Sequence, residues 1–154
     1  MSDYVIPTDN SIKKVLGTLF GDQTKVDTGD AVSIDEGYVA NYIFEDNTVA
    51  VCVADHSFVA YSGASMMMLP AGAATEAAEK KDLTPVMVES YYEVANILST
   101  VMMNATSAHL KLSTLAGPGD DVSFAKPLEG GSTEVSFSVE LPGYGTGKLS
   151  FLIA

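Results

Sequence analysis

The sequence predicts an α+β fold, and three observations carry that prediction. A helical pattern opens the chain and is followed by a strand hairpin; two further helical patterns occupy the centre; the C-terminal part alternates as short strands separated by glycine-rich turns. The expected architecture is an antiparallel-rich sheet with long amphipathic helices packed on it. A chain of 154 residues with 47% hydrophobic content can bury the core of one domain spanning 1–154.

The first element reads as a helix because Ile12, Val15, Leu16, Leu19 and Phe20 recur at helical spacing, with Asp9 or Asn10 as cap and Gly21 as terminator. GYVANYIF and TVAVCVAD then read as strands joined by the turn residues Glu45, Asp46 and Asn47, with Val49, Val51 and Val53 on the buried side. Asp55 can cap a second helix, HSFVAYSGASMMML, ending at Leu69 before Pro70, in which Met66, Met67 and Met68 serve as adaptable core filler. The alanine-rich AGAATEAAEKKD is a short helix or a loop. Thr84 and Pro85 form a cap and first-turn pair that starts a third helix running to about Asn104. Strands are expected at LKLSTL, near Val122 to Phe124, at EVSFSVEL and at KLSFLIA, the last two joined by PGYGTG. No internal repeat, linker or low-complexity segment is visible.

The charge excludes whole classes of function. Acidic residues number 20 and basic residues 8, every one of the latter a lysine, for a net charge of −12. Nucleic-acid binding needs a basic stripe that displaces counterions from phosphates, and this chain has none. Without arginine, any phosphate chemistry must take its cations from a partner. No run reaches the roughly 18 apolar residues of a membrane span, and MSDYVIPTDN lacks the layout of a signal peptide, so a cytoplasmic protein without membrane contact is expected. The single cysteine, Cys52, lies in an alternating apolar run and reads as a buried structural thiol. His56 and His109, one at a helix start and one at a strand entrance, show neither metal-ligand spacing nor triad partners, so no metal site and no cofactor of its own is expected. The pattern Asn104-Ala105-Thr106 matches a glycosylation sequon that a cytoplasmic chain has no use for.

The stretch ESYYEVANILST lies inside the third helix. At about 100° per residue, Met87, Tyr91, Val94, Ala95, Leu98, Val101 and Met102 share one face and Glu89, Glu93, Asn96, Thr100 and Asn104 share another. Such a stripe is either the solvated side of an amphipathic helix or a site. Asparagine is a mediocre helix former, and a face selected only for solubility favours lysine, glutamate or glutamine.

This element order, with Glu-x-x-Asn at Glu93 and Asn96 ahead of a β-rich C-terminal half, resembles the CheC/CheX/FliY-type chemotaxis phosphatases, and the single motif copy is most similar to the CheX type. The resemblance spans nearly the whole chain. Glu89 stands where the family usually has aspartate or serine, LSTVMMN follows where relatives often place a glycine, and Pro118 matches the family's later proline. The resemblance implies a phosphatase acting on the aspartyl-phosphate of a CheY-like response-regulator receiver. In that role Asn96 orients the attacking water, Glu93 pairs with a receiver lysine, and Glu89 and Thr100 contact the partner at the rim. The divalent ion, Mg2+, belongs to the receiver. It also implies a homodimer paired through β-rich surfaces, for which EVSFSVEL and KLSFLIA are suited, and it leaves open a docking or scaffold module without turnover.

Overall fold

The computed structural model describes residues 4–154. Helix α1 (Asp9–Phe20) opens on a capping box in which the Thr8 hydroxyl accepts from the Ser11 N–H and the Ser11 hydroxyl accepts from the Thr8 N–H. Thr8 thus caps in place of the expected Asp9 or Asn10, because only Thr8 has Ser11 three residues on to return the bond. Gly21, at φ 107°, ends the helix.

A short strand that the sequence pattern does not announce follows, β1 (Lys25–Thr28), in which Val26 alone is buried. The hairpin is β2 (Tyr38–Phe44) and β3 (Asn47–Ala54), turned through Glu45 and Asp46 at φ 51° and 65°. Two consecutive left-handed residues are the signature of a tight hairpin turn whose twist suits the flanking strands. Helix α2 (His56–Met66) is capped by Asp55, whose carboxylate accepts from the Phe58 N–H at 2.8 Å. The same oxygen accepts from the Lys148 N–H at 3.1 Å, which ties the helix start to the sheet.

Helix α2 stops at Met66 rather than Leu69. Met68 takes a left-handed φ of 55°, and the Leu69 N–H reaches back to the Ala64 carbonyl at 2.8 Å. The turn buries Leu69 in part and throws the methionines outward: Met66, Met67 and Met68 are surface residues, Met68 at 89% exposure, and not core filler. The alanine-rich segment forms helix α3 (Ala71–Lys80), with Ala74, Ala77 and Ala78 packed against Ala60 and Ala64 of α2. Helix α4 (Pro85–Leu98), capped by Thr84, passes into a tighter 3-10 turn at Ser99–Met102, short of the expected Asn104.

Strands β4 (Lys111–Ala116), β5 (Thr133–Leu141) and β6 (Gly145–Ile153) complete the chain. Val122 to Phe124 form no strand. They lie in a turn that leads to a 3-10 turn at Lys126–Leu128, and Val122, Ala125 and Leu128 serve as a cover for the sheet.

All six strands form one antiparallel sheet in the order β1-β5-β6-β3-β2-β4. Exchanging β1 with β4, β2 with β5 and β3 with β6 leaves every pairing unchanged, and a helix precedes the first strand of each half, α1 before β1 and α4 before β4. The fold is therefore an internal duplication in topology, although no repeat survives in the sequence. EVSFSVEL and KLSFLIA, expected to serve pairing between copies, are β5 and β6 and are hydrogen-bonded on both sides; the sheet's free edges belong to β1 and β4.

Both faces of the central hairpin are buried, and the expected valine side divides: Val51 and Val53 share one face, while Val49, half-buried at a bulge in the pairing, packs with the opposite, helix-side core. Ala40, Tyr42, Ala50, Cys52 and Ala54 face α1, α2 and α4, meeting Ile12, Leu16, Phe58, Tyr91, Val94 and Leu98. Val39, Val51, Val53 and Leu152 face the other way, under Val32, Ile34 and the 122–128 segment. Alternation along these strands separates two cores rather than core from water. Among the described residues, no helix is long and apolar enough to cross a membrane.

Helices α2 and α4 cross at Gly63, where an added Cβ would stand 2.2 Å from the Met87 carbonyl oxygen. Since the obstacle is backbone, Gly63→Ala should lower the unfolding free energy by about 1–3 kcal/mol, measured by denaturant titration. Cys52 is fully buried, and burial pushes its thiol from 9.0 up to about 12. The native chain keeps a proton that the unfolded chain loses, so this contribution to stability is complete below pH 9 and is lost as pH rises towards about 12. Denaturation midpoints should fall across that window, with a shallower slope in Cys52→Ala.

Candidate functional site

Helix α4 positions the acid and amide. Met87, Tyr91, Val94, Ala95 and Leu98 are buried against α2 and the sheet, and Val101 and Met102 continue that face through the 3-10 turn. The expected core face is complete. Tyr91 stacks edge-on against Phe58 at 5.9 Å and lies 4.0 Å from the Cys52 sulfur. Burial pushes the hydroxyls of Tyr42 and Tyr91 well above the ordinary tyrosine range, which keeps both neutral inside the core.

The C-terminal end of α4 is held by a specific bond. The Ser99 N–H turns to the Asn96 carbonyl, and the hydroxyls of Ser99 and Thr100 donate to the carbonyls of Asn96 and Ile97 at 2.7 and 2.8 Å. This tightening takes from the Ala95 carbonyl the N–H that a continuing α-helix would offer it. The buried Tyr42 hydroxyl of β2 fills the vacancy, donating to Ala95 at 2.5 Å. The residue next to Asn96 is thus anchored to the sheet.

On the outer face Glu89, Glu93 and Asn96 are exposed, at successive helical steps of four and three. Among the described residues, the side chains of Glu93 and Asn96 make no hydrogen bond or ion pair. They stand free on a helix whose backbone is fixed. Thr100 is exposed too, but its hydroxyl is turned back to its own backbone. Asn104 lies beyond the helix, where its side-chain oxygen accepts from the N–H groups of Thr106 and Ser107 at 2.9 and 2.8 Å. It closes a turn and leaves the stripe.

The sequence reading missed a groove of about 520 Å³ beside this stripe, lined by Val88, Glu89, Tyr92 and Glu93 of α4 and by Thr114 and Leu115 of β4. No sequence pattern joins residues 92 and 115; the α4–β4 juxtaposition makes the groove. On α1, the topological counterpart of α4, buried Ile12 is followed by exposed Lys13 and Lys14, as buried Tyr91 is followed by exposed Tyr92 and Glu93. Matching these patterns puts Lys14 and Gly17 where α4 has Glu93 and Asn96. The acid and amide therefore occur on one half only.

The other candidates take structural places. His56 begins α2 edge-on to Tyr38 at 5.5 Å, and burial, then Lys81, lowers its pKa. His109 is exposed ahead of β4. Among the described residues, no group of three His, Cys, Asp or Glu side chains could hold a metal ion.

No protein-family model and no curated protein matches the sequence. Solved structures match the fold. The FliM middle domain of Vibrio alginolyticus aligns with a TM-score of 0.62 at 11% identity, over 93% of this chain and 86% of that one. FliY of Thermotoga maritima aligns with a TM-score of 0.55 at 17% identity, over 94% and 82%. CheX of Borrelia burgdorferi, solved in a complex with CheY, BeF3 and Mg2+, aligns with a TM-score of 0.51 at 11% identity, over 91% and 90%. The chain has the fold shared by CheX, FliY and the FliM middle domain, as the sequence resemblance implied.

If Tyr42 anchors the helix, Tyr42→Phe should leave the Ala95 carbonyl buried and unsatisfied. The expected loss is about 1–3 kcal/mol of stability, with faster amide exchange from Ser99 to Met102 as the local readout.

Proposed function

We propose that the outer face of α4 is the working surface of a phosphatase that hydrolyses the aspartyl-phosphate of a CheY-like receiver domain. The observation that carries this reading is the pair Glu93 and Asn96, exposed and unpaired on an anchored helix, within a fold that the CheX of a CheX–CheY complex also adopts. An exposed amide three residues from an acid is unremarkable alone. Its place on this helix of this fold supports a role.

The chemistry suits the residues. An asparagine amide is no base at neutral pH, but its oxygen accepts and its nitrogen donates, so Asn96 can hold one water in line with the phosphorus–oxygen bond of the acyl phosphate. Water adds to phosphorus, the aspartyl carboxylate leaves, and inorganic phosphate is released. Catalysis is by positioning, which needs a side chain on a stiff support, and Tyr42 and the 3-10 turn give α4 that stiffness. Glu93 would pair with the lysine beside the receiver's phosphoryl group, contributing about 1–3 kcal/mol once desolvated. The receiver brings the divalent ion and the cation, which accounts for a phosphatase with no arginine.

A docking module without turnover is the second reading. The groove between α4 and β4 favours it, since a groove serves binding whether or not hydrolysis follows. Loss of phosphate from a panel of phosphorylated receivers separates the two. The wild-type protein should accelerate decay for at least one receiver, and Asn96→Ala should cost about 10² or more in rate while the fold survives. Glu93→Ala should chiefly weaken the complex. Unchanged decay for every receiver leaves the docking module.

A further inference from the structure

The groove between α4 and β4 is joined to the acid and amide by Glu93, which belongs to both. Its walls are Val88 and Tyr92 on the helix and Thr114 and Leu115 on the strand, and its two charged lining residues, Glu89 and Glu93, are both acids. Tyr92 is 36% exposed, and among the described residues its hydroxyl makes no hydrogen bond. It precedes Asn96 by four residues, so the ring and the amide are neighbours on one helical face. β4 is an edge strand, so nothing in the sheet closes the far side of the groove.

Charge narrows the occupant. At a net charge of −12 the protein repels an acidic partner at long range, and a receiver displays acids around its phosphoryl group, so attraction must be local. A half-exposed aromatic in an apolar groove rimmed by carboxylates fits an apolar side chain that has a cation beside it. Aromatic anchors of this kind dominate binding energy where neighbouring contacts exclude water.

We infer that this groove selects the partner: it takes an apolar side chain flanked by a lysine or arginine on the receiver surface next to the phosphorylation site. Tyr92 and Leu115 grip the apolar group, and Glu89 holds the cation. The inference rests on the reading of the Asn96 face as a receiver phosphatase. Tyr92 and Leu115 are then specificity residues, while Asn96 acts on the water.

The test measures binding and turnover separately, using receivers loaded with beryllium fluoride and Mg2+ for affinity and phosphorylated receivers for kinetics. Tyr92→Ala and Leu115→Ser should each weaken binding tenfold or more and raise KM. Tyr92→Phe should bind within twofold of wild type, because the ring and not the hydroxyl is used. Glu89→Gln should weaken binding and flatten its salt dependence. Asn96→Ala should bind within twofold and lose kcat. Unfolding midpoints exclude misfolding, which an exposed position such as Tyr92 should not provoke. If Tyr92→Ala and Glu89→Gln both bind within twofold of wild type, the groove inference is overturned while the phosphatase reading stands. If Tyr92→Ala weakens binding but Asn96→Ala retains turnover, the groove holds and the catalytic role of Asn96 falls. A panel in which no loaded receiver binds the wild-type protein overturns both.

Discussion

The seating of α4 across α2 and the sheet is the constraint on which the rest of the structure depends. Gly63 lets the two helices approach to backbone contact, and Tyr91, Val94, Ala95 and Leu98 fill the interface below. A helix seated this closely cannot roll, because rolling would drive Cβ atoms into backbone or expose buried tyrosines. The direction in which Glu93 and Asn96 point is therefore a consequence of core packing. The Tyr42 hydroxyl completes the constraint at the one point where α-helical bonding lapses.

That lapse matters for the site. Tightening at Ser99 changes the angular step per residue, so the polar stripe is coherent from Glu89 to Asn96 and loses phase beyond. Thr100 turns inward to its own backbone and Asn104 serves a loop. What an ideal helical wheel draws as five polar residues is three in the folded chain, with Tyr92 and the β4 wall beside them.

The duplicated topology gives the asymmetry of the molecule its meaning. Two halves of the same strand order share one continuous sheet, joined where β3 pairs with β6. Each half supplies a helix to the same face, yet where α4 has Glu93 and Asn96 the matching positions of α1 are Lys14 and Gly17. Backbone architecture can persist after sequence similarity is lost, since hydrophobic periodicity and turn chemistry suffice to specify it. The two halves therefore differ in the side chains they present rather than in backbone architecture.

The sequence by itself determined the α+β class, the hairpins, the capping of α2 and α4 and the buried face from Met87 to Met102, because helical and strand periodicities and cap chemistry are local properties. The Glu-x-x-Asn spacing, read beside the element order, was enough to bring out the family likeness that the fold bears. Tertiary structure decided what local pattern cannot encode. Met66 to Met68 are apolar and lie at the end of a helix, but the left-handed turn at Met68 puts them in water. Strand β1 has one buried residue and exists because β5 offers an edge. The groove needs Leu115 beside Tyr92, a juxtaposition across 23 residues of sequence that only the packing of α4 on the sheet creates.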